Sequence, residues 1–455
     1  MLVQFSVSNF RSIEEEVVFK MISDSVREHT SHQISTNFRT PEKLLRFGAI
    51  YGANASGKTN LIEAVRFARD LICSGREPDE PLNPPYFRFS GSRSAEPTCI
   101  EFILWIDNEL YTYGFAVSAR RIEEEWLYAQ RPGAAERKLF ERKSDEDGAI
   151  VDHGKSLESP GFSGKVITLV ETTTRNNQLF LYSLADNNHK GVLPVVDWFR
   201  KTLTVVSAVA QQRQLLLKAR DDRRFSDFLS TLLKRVGTGI ERVELEGRKI
   251  DIKRDLSFFP PNIKKDVQLS LSKLKDGQGI ILSMEQMQRI YEKKDGAILE
   301  YHLQAIHKDR DGNEVSLPIE EESDGTQRLV HLSPLFADAI DQDKVVFIDE
   351  LDRRLHPMLS RALVELFNET GSTNSNTQLI FTTHDTHLFD QDLLRRDELW
   401  LMEKNKWGAS QLVSLLDFDI RNDVKLSRNY LQGRFGGIPK IKYDLTNGSD
   451  RYVEV

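Results

Sequence analysis

The chain has 455 residues, with 62 Lys and Arg against 69 Asp and Glu, which gives a formal net charge of −7. A hydrophobic fraction of 39% and a charged fraction of 29% fit a globular protein of roughly two or three domains with a sizeable core. A mildly acidic chain is not a general binder of polyanions, so any contact with nucleic acid would need a local basic patch.

Neither the cysteines nor the N-terminus indicates a secreted or membrane protein. Cys73 and Cys99 lack CxxC spacing and obvious histidine partners, so the sequence predicts neither a disulfide framework nor a zinc site. The N-terminus has no apolar segment after a basic start, as a signal peptide would have. No stretch approaches the roughly 18 apolar residues of a membrane span. We therefore expect a cytoplasmic protein without membrane contact.

The first elements along the chain are predicted to be strands followed by one helix. Residues 1–10 alternate loosely and indicate an opening strand, and residues 17–21 would return antiparallel to it. The apolar run over residues 44–51 indicates a buried strand. Apolar residues at helical spacing over 60–73 then indicate a helix that ends at a serine and a glycine.

Between that strand and that helix, the segment from Gly52 to Thr59 matches the pattern GxxxxGK[ST]. Glycines such as Gly52 and Gly57 let backbone N–H groups converge on phosphate oxygens, and the helix start adds the positive end of its dipole. Lys58 would supply a positive charge to the β- and γ-phosphates, and the Thr59 hydroxyl would bind Mg²⁺. The strand–loop–helix context therefore predicts a P-loop that binds ATP with Mg²⁺.

After residue 75 the pattern changes. Strand-like runs at residues 99–105, 110–117 and 122–129, separated by turns, predict a small antiparallel lobe. The glycine-lysine run at 161–165 resembles a P-loop but lacks the spacer between its glycines, and it is predicted to be a turn. Helical spacing dominates from about residue 179 and gives way to short strand-like pieces and charged turns before the next clear helix.

The short apolar run at residues 345–348 leads into Asp349 and Glu350, which resembles a Walker B motif. Asp349 would hold Mg²⁺, and Glu350 would polarise the attacking water as a general base. The alternative is a buried strand that runs into an ordinary acidic turn. The P-loop upstream favours the functional interpretation.

Two further elements flank this acidic pair. Ser323, Gly325 and Gln327 open a predicted helix, where a hydroxyl, a glycine backbone and a helix N-terminus could meet a γ-phosphate; the alternative is a simple N-cap at Ser323. His384 follows an apolar strand and could donate a hydrogen bond to a γ-phosphate, although a lone histidine is usually structural or exposed.

In this order the motifs resemble the ATP-binding-cassette ATPases of the SMC, Rad50 and RecF type. The runs at 351–352 and 355–357 resemble the segment after Walker B in the related OLD ATPases. The P-loop stretch from Asn54 through Ser56 to Asn60 is similar to theirs, and Arg11 lies in a run similar to their N-terminal strand motif, whose basic residue is near the nucleotide. The segment at 323–327 matches their signature motif loosely, with Thr326 in place of the second glycine. The resemblance assigns nucleotide binding to eleven positions: Gly52, Asn54, Ser56, Gly57, Lys58, Thr59, Asn60, Arg11, Ser323, Gly325 and Gln327.

A narrower resemblance covers nearly the whole chain. The stretches 122–128, 393–400 and 430–439 are similar to those of bacterial ATPases of the RloA/AbiL type, which occur in phage-defence and abortive-infection operons. The ATPase subunit of the PARIS system is a related candidate. No equally clear Q-loop glutamine is found, and the region 87–101 is the place where one would be expected.

The resemblance implies an α/β fold, a P-loop NTPase of the ABC-ATPase head type with an antiparallel β lobe and a helical insertion. It also implies an ATPase whose heads form a homodimer or a larger homo-oligomer, with ATP held between the P-loop of one subunit and residues 323–327 of another. Glu350 and His384 would be catalytic, and Thr59 and Asp349 would bind the metal. The expected domains are the N-terminal part of the head at 1–75, the β lobe at 76–177, a mainly helical insertion at 178–315, and the C-terminal part of the head at 316–455.

The expected role is a regulatory ATPase that senses infection and controls a separate effector protein, either nuclease-like or toxic. The stretch after His384 has no recognisable pattern of the metal-dependent nuclease domain of OLD proteins, so we expect that the chain itself does not cut nucleic acid. One alternative is a RecF-like repair or maintenance ATPase that binds DNA, for which arginine clusters at 220–224, 353–354 and 395–396 are the candidates. A third interpretation is an ATP-gated scaffold with slow or incidental hydrolysis.

Overall fold

The strands and helices of the chain fall into two units. The first comprises Met1–Ser207, Gln342–Asp352 and the residues from Val364 onward, and the second comprises Ala208–Asp341 and Arg353–Leu363. The computed structural model describes residues 1–24, 28–91, 93–144, 149–208, 215–252, 254–256, 261–284, 287–374, 376–420 and 425–439.

The described residues include strands β1 to β20 and helices α1 to α10. The strands are β1 Leu2–Ser8, β2 Val17–Lys20, β3 Gln33–Ser35, β4 Lys43–Leu45, β5 Phe47–Tyr51, β6 Thr98–Ile106, β7 Glu109–Val117, β8 Ile122–Gln130, β9 Arg137–Ser144, β10 Ala149–His153, β11 Leu203–Val206, β12 Arg242–Ile250, β13 Gly279–Met284, β14 Met287–Lys294, β15 Ala297–Lys308, β16 Glu314–Pro318, β17 Val345–Ile348, β18 Gln378–Thr382, β19 Leu399–Lys404 and β20 Ser410–Ser414. The helices are α1 Lys58–Cys73, α2 Gly164–Thr173, α3 Phe180–Asp186, α4 Leu193–Asp197, α5 Leu215–Asp221, α6 Arg223–Arg235, α7 Pro261–Ser272, α8 Asp324–Asp341, α9 Pro357–Asn374 and α10 Leu426–Leu431. Within these described parts, no helix has both the length and the apolar character needed to cross a membrane.

The central sheet of the first unit has the strand order β11-β17-β18-β5-β19-β20. Its first five strands run parallel, and β20 pairs antiparallel with β19. Parallel strands end at the same edge of a sheet, so Tyr51, Ile348 and Thr382 deliver the residues that follow them to one place. The predicted α/β fold is therefore confirmed, and the predicted motifs follow neighbouring strands β5, β17 and β18.

A second sheet in this unit is antiparallel, with the order β10-β9-β8-β7-β6-β1-β2. The predicted strands at 99–105, 110–117 and 122–129 correspond to β6, β7 and β8. The opening strand and its antiparallel return are also confirmed, as β1 and β2. They extend the sheet of the β lobe, because β1 pairs with β6.

One hydrophobic core joins the two sheets of the first unit, and a buried glutamine links their backbones. The core includes residues of both sheets, such as Phe5 and Phe102 in the antiparallel sheet and Phe347 and Ile380 in the parallel one. The Gln378 side chain accepts from the backbone N–H of Leu2 at 2.7 Å and donates to the carbonyl oxygens of Leu2 at 3.0 Å and Leu45 at 2.9 Å. An amide with these partners carries little penalty for its burial.

The buried strand predicted over residues 44–51 is divided in the structure. Strand β4 ends at Leu45 and pairs with β3, whereas β5 begins at Phe47 in the central sheet. Arg46 between them is 6% exposed, and its Nε donates to the carbonyl oxygen of Ser31 at 3.1 Å. The backbone N–H of Arg46 donates to His32, so the chain changes sheets at this residue.

The second unit carries a sheet of its own, with the order β12-β15-β14-β13 and β16 paired to β15. Helix α7 packs on this sheet through a small core that includes Val267, Leu271, Tyr291 and Ile298. The range 178–315, predicted as a mainly helical insertion, thus contains strands as well as helices. Charged residues on the exposed face of β12, β14 and β15 hide the period-two pattern that marks a strand.

Candidate functional site

The P-loop leaves β5 at Gly52 and enters α1 at Lys58, as the pattern predicts. A Cβ atom added to Gly52 would lie 2.6 Å from Ser56 Oγ and would also collide with the carbonyl oxygen of Met402. Gly57 has φ = 112°, and a Cβ there would lie 2.8 Å from Ser12 Oγ. Both glycines are therefore required by contacts and by backbone conformation, which is the physical basis of the motif.

The Lys58 side chain folds back over the loop. Its Nζ donates to the carbonyl oxygens of Gly52 at 2.7 Å and Ala53 at 3.2 Å, and the residue is only 6% exposed. Burial lowers the pKa of Lys58 from 10.5 to about 8, although nearby carboxylates, Asp349 foremost, act to raise it. A buried ammonium held on two carbonyl oxygens is placed to move onto phosphate oxygens.

Thr59 and Asp349 meet across the site. The Thr59 hydroxyl lies 3.0 and 3.2 Å from the two carboxylate oxygens of Asp349, which directly follows strand β17. The Thr382 hydroxyl donates to Asp349 Oδ1 at 2.7 Å and holds the carboxylate in place. Burial raises the pKa of Asp349, and the hydrogen bonds from Thr382 and Thr59 oppose that shift.

This pair of oxygen donors fits Mg²⁺. In proteins that bind nucleotides, Mg²⁺ is held by one or two carboxylates, hydroxyls, waters and the phosphates themselves. Among the residues that the structure describes, no group of three or more His, Cys, Asp or Glu side chains gathers around a metal position. The oxygen donors that meet here and could hold the ion are the Thr59 hydroxyl and the Asp349 carboxylate.

Glu350 and His384 follow neighbouring strands at the same edge of the sheet. Glu350 has a left-handed backbone with φ = 51°, and its N–H donates to Thr382 Oγ1 at 2.7 Å. The backbone N–H of His384 donates to Asp352 Oδ2 at 3.3 Å. Partial burial and the positive charge of Lys58 lower the pKa of His384 below 6.5. This shift favours the neutral imidazole, which carries one N–H donor.

The surroundings of Asn54, Ser56 and Asn60 differ. The Asn54 side chain is exposed. Ser56 is buried, and within the described residues its hydroxyl has no hydrogen-bond partner. A phosphate oxygen at the loop would satisfy that hydroxyl. Asn60 instead uses its amide to donate to Ser12 Oγ at 2.6 Å, so its side chain braces the segment after β1.

Ser410, at the start of β20, completes this brace. Its hydroxyl donates to the Ser56 carbonyl oxygen at 2.6 Å and lies 2.7 Å from Ser12 Oγ. Its backbone N–H donates to the carbonyl oxygen of Ser12 at 2.7 Å. We refer to Ser12, Ser56, Asn60 and Ser410 as the serine brace. It ties two distant segments of the first unit to the phosphate loop.

Arg11 lies beside this brace in the left-handed region, with φ = 50°. Its guanidinium lies 3.4 Å from Glu63 on α1, and its side chain is 43% exposed. Arg11 is thus near the first turns of α1 and is held by an acidic side chain. An exposed pair of this kind contributes little to stability.

The three predicted signature residues belong to the second unit, at the start of α8. Ser323 caps the helix by accepting from the Thr326 N–H at 3.2 Å, which matches the N-cap alternative. The Gln327 amide donates to the carbonyl oxygens of Glu320 at 3.0 Å and Glu322 at 2.8 Å. A Cβ at Gly325 would lie 3.1 Å from the Arg354 carbonyl oxygen, so this position favours glycine.

Sequence reasoning missed Thr382, Ser12 and Ser410 as site residues. Thr382 could have been found, because it is a polar residue at the end of an otherwise apolar strand at 378–382. Ser12 and Ser410 have no local signal, since their roles depend on a contact between positions 398 residues apart.

None of the curated proteins matches the chain significantly. Among solved structures, the SMC head domain from Thermotoga maritima is 12% identical, with a TM-score of 0.37, and the match covers 92% of this chain and 99% of that one. An SMC head bound to the C-terminal winged-helix domain of ScpA is 14% identical with a TM-score of 0.40, covering 91% and 97%. RecF with ATP is 12% identical with a TM-score of 0.28, covering 84% and 93%. These similarities assign no function to the chain.

A family model identifies the family of the chain, which the structural similarities do not. The model described as "AAA domain, putative AbiEii toxin, Type IV TA system" matches residues 47–390. That range contains the P-loop, Asp349, Glu350 and His384, which the sheet places along one edge. The chain therefore belongs to the family of this AAA domain.

Proposed function

We propose that this chain binds ATP with Mg²⁺, hydrolyses it, and uses bound ATP to hold two copies of the chain together. The observation that carries the proposal is the contact of the Thr59 hydroxyl with the Asp349 carboxylate, at 3.0 Å. It brings the P-loop and the acidic strand end, 290 positions apart, into one site. A site of this composition has the groups needed to hold a nucleotide triphosphate with its metal ion.

The roles of the side chains follow from their positions. Lys58 would leave the carbonyl oxygens of the loop and pair with phosphate oxygens, and the hydroxyl of Ser56 would gain a partner there. Mg²⁺, when bound, neutralises charge on the phosphates. Glu350 would accept a proton from the attacking water as a general base. The His384 imidazole would donate a hydrogen bond to the γ-phosphate.

The dimer is proposed on the basis of the signature-like segment. The start of α8 presents backbone N–H groups and the Ser323 hydroxyl, and a helix N-terminus attracts a phosphate. In the proposed head-to-tail pair, this segment of one copy would close over the γ-phosphate bound by the other. ATP would then favour the closed pair, and hydrolysis would favour its opening, because the γ-phosphate contacts exist in only one of the two states.

The biological role is proposed from the family and the RloA/AbiL-like stretches. A nucleotide-dependent dimer is a two-state element that another protein can read. We propose that the chain is the regulatory ATPase of a bacterial phage-defence system and controls a separate effector protein. The description of its family, which includes a toxin of a toxin–antitoxin system, supports this setting.

The alternative of a DNA-binding repair ATPase has less support from the arginine clusters. Arg395 is 1% exposed and binds Asp397 through two contacts of 2.8 and 2.7 Å, so it is unavailable to DNA. Arg220 pairs with Asp221 at 2.7 Å, and Arg354 lies 3.3 Å from Asp324. Arg396 donates to the Ile420 carbonyl oxygen at 2.7 Å, so at least four of the seven arginines in these clusters are engaged within the chain. The net charge of −7 opposes DNA binding further.

The experiment that tests the proposal is substitution of the general base, Glu350→Gln. Loss of a general base slows turnover by about 10²–10⁴-fold, while the amide leaves the P-loop and the metal ligands intact. We expect the variant to bind ATP normally, to hydrolyse it at least about 100-fold more slowly, and to accumulate as a dimer in size-exclusion chromatography with ATP.

The matched control is Glu16→Gln, which removes one exposed carboxylate outside the site. It should behave like the wild-type chain in all three measurements. Unchanged hydrolysis by Glu350→Gln would remove Glu350 from its role, and a monomer in ATP would contradict the shared site.

A further inference from the structure

Two large aromatic side chains near the phosphate loop are exposed to an unusual degree. Phe89 is 73% exposed and Trp407 is 68% exposed. They are neighbours, because a Cβ on Gly408 would lie 3.1 Å from Cδ2 of the Phe89 ring. Single exposed aromatics are common on soluble proteins, but adjacent ones mark a surface that contacts something else.

The segments that carry Phe89 and Trp407 are hydrogen-bonded to the serine brace or to residues next to it. Trp407 is in the turn between β19 and β20, which is closed by the Gly408 N–H on the Asn405 carbonyl oxygen at 3.0 Å. The turn is followed at once by Ser410, which donates to the P-loop at the Ser56 carbonyl oxygen. Three residues span at most about 10 Å, so Trp407 is close to the loop.

Phe89 is held from the other side. The ring of buried Phe87 lies 5.7 Å from that of Phe89, edge to face. The Phe87 N–H donates to Asn9 Oδ1 at 3.0 Å, and the Arg11 N–H donates to the Pro85 carbonyl oxygen at 2.5 Å. The segment that carries Phe89 is therefore fastened to residues just before Ser12. A single framework thus connects both aromatic side chains to the first turn of α1.

The two sides of the first turn of α1 have different neighbours. On one flank the Thr59 hydroxyl faces Asp349, which is where the metal ion and the terminal phosphates belong. On the other flank Asn60 faces Ser12. A nucleotide with its terminal phosphates on the Asp349 side would extend its ribose and base toward Ser12 and Ser410, the flank that carries Phe89 and Trp407.

We propose that Phe89 and Trp407 form a platform on which the nucleobase of ATP stacks; this inference rests on the proposed ATP site. Lys406 lies beside the platform, and its Nζ makes a cation–π contact 4.9 Å from the centre of the Trp407 ring. Stacking of a base on an aromatic side chain increases affinity by about 5- to 150-fold and discriminates poorly among bases. The site would therefore take purine triphosphates other than ATP with similar affinity.

The test compares ATP with inorganic tripolyphosphate, which has the phosphates but no base, by titration calorimetry on the full chain. In the variant Trp407→Ala and in the double variant with Phe89→Ala, ATP affinity should fall by about 5- to 150-fold, while tripolyphosphate affinity stays unchanged. Trp407→Phe should restore most of the ATP affinity. The control Ile150→Ala, at a residue 68% exposed on β10, should change neither.

The possible results distinguish a failure of the aromatic platform from a failure of the phosphate site. Unchanged ATP affinity in the double variant, or equal loss for both ligands, would overturn the platform while leaving the phosphate site in place. A wild-type chain that binds neither ligand would overturn the proposed function itself. Quenching of tryptophan fluorescence by ATP, lost in Trp407→Phe at unchanged affinity, would support stacking directly.

Discussion

The ammonium group of Lys58 is buried among backbone carbonyl oxygens. Burial brings its pKa down to about 8, inside the range of ordinary experiments. Phosphate oxygens beside the ammonium would raise that pKa again, because opposite charges favour the protonated form. Above pH 8, ATP binding must therefore be accompanied by uptake of a proton.

This coupling predicts a pH dependence of ATP affinity. Below pH 8 the ammonium is already protonated, and affinity should be nearly constant; above pH 8 the dissociation constant should rise by up to about tenfold per pH unit. Titration calorimetry at pH 7 to 9.5, in buffers of different ionisation enthalpy, measures both the affinity and the proton uptake. Lys58→Arg is the matched control, because an arginine remains protonated throughout this range. A wild-type affinity that stays constant up to pH 9.5 would contradict the coupling.

At the scale of elements, a buried glutamate connects strand β8 to helix α3. Glu125 is 1% exposed and accepts from the backbone N–H groups of Phe180 at 2.6 Å and Leu181 at 2.9 Å, at the start of α3. Tyr113 donates to it at 3.0 Å, and Arg142 lies 3.8 Å away. The carboxylate thus accepts from backbone donors of a helix start and also lies opposite the charge of a buried arginine.

We expect Glu125→Ala to lower the free energy of unfolding by about 3–5 kcal/mol, because it leaves two buried N–H groups without their acceptor and removes the counter-ion of the buried Arg142. Glu124→Ala is the control one residue away, where the carboxylate is exposed and pairs with Lys143 at 3.4 Å. That change should lower the free energy by only about 0–1 kcal/mol. Urea denaturation followed by circular dichroism measures both. Equal unfolding midpoints for the two variants would show that Glu125 does not stabilise the fold in this way.

At the scale of the whole molecule, the shared-site proposal makes a prediction about mixtures. Lys58→Ala should remove the P-loop contribution, and Ser323→Asp should place a negative charge against the γ-phosphate while keeping an N-cap acceptor. Each variant alone should be inactive. A pair formed from one copy of each retains one intact site, so an equal mixture should recover roughly a quarter of wild-type ATP hydrolysis if the sites act independently.

The comparison that decides this prediction is the mixture against the sum of the separate variants, at the same total concentration of chain. Recovery of activity requires that residues of two copies complete one site. A mixture that is no more active than its separate components would mean that each chain carries its own complete site, and the head-to-tail pair would be wrong.

Much of the phosphate site could be predicted because its parts are short and continuous in sequence. The run Gly52–Thr59 contains both glycines and the lysine that the backbone geometry requires, and the apolar strand before Asp349 places that residue at a sheet edge. His384 follows a strand of the same kind. In contrast, the hydrophobic pattern alone did not distinguish the strands of the second unit from helices, because the exposed faces of these strands are highly charged.

The sequence by itself determined that the chain has a P-loop, an acidic pair and a histidine, each at the end of an apolar strand. Only the tertiary structure decided that these ends are neighbours, because strand order depends on packing and on hydrogen bonds between distant segments. The same holds for the serine brace, where Ser12 and Ser410 meet although 398 positions separate them. Side chains such as Thr382 gain their role from the carboxylate that β17 places beside them. Local chemistry follows from residue type and spacing, whereas the partner of each group follows from the fold.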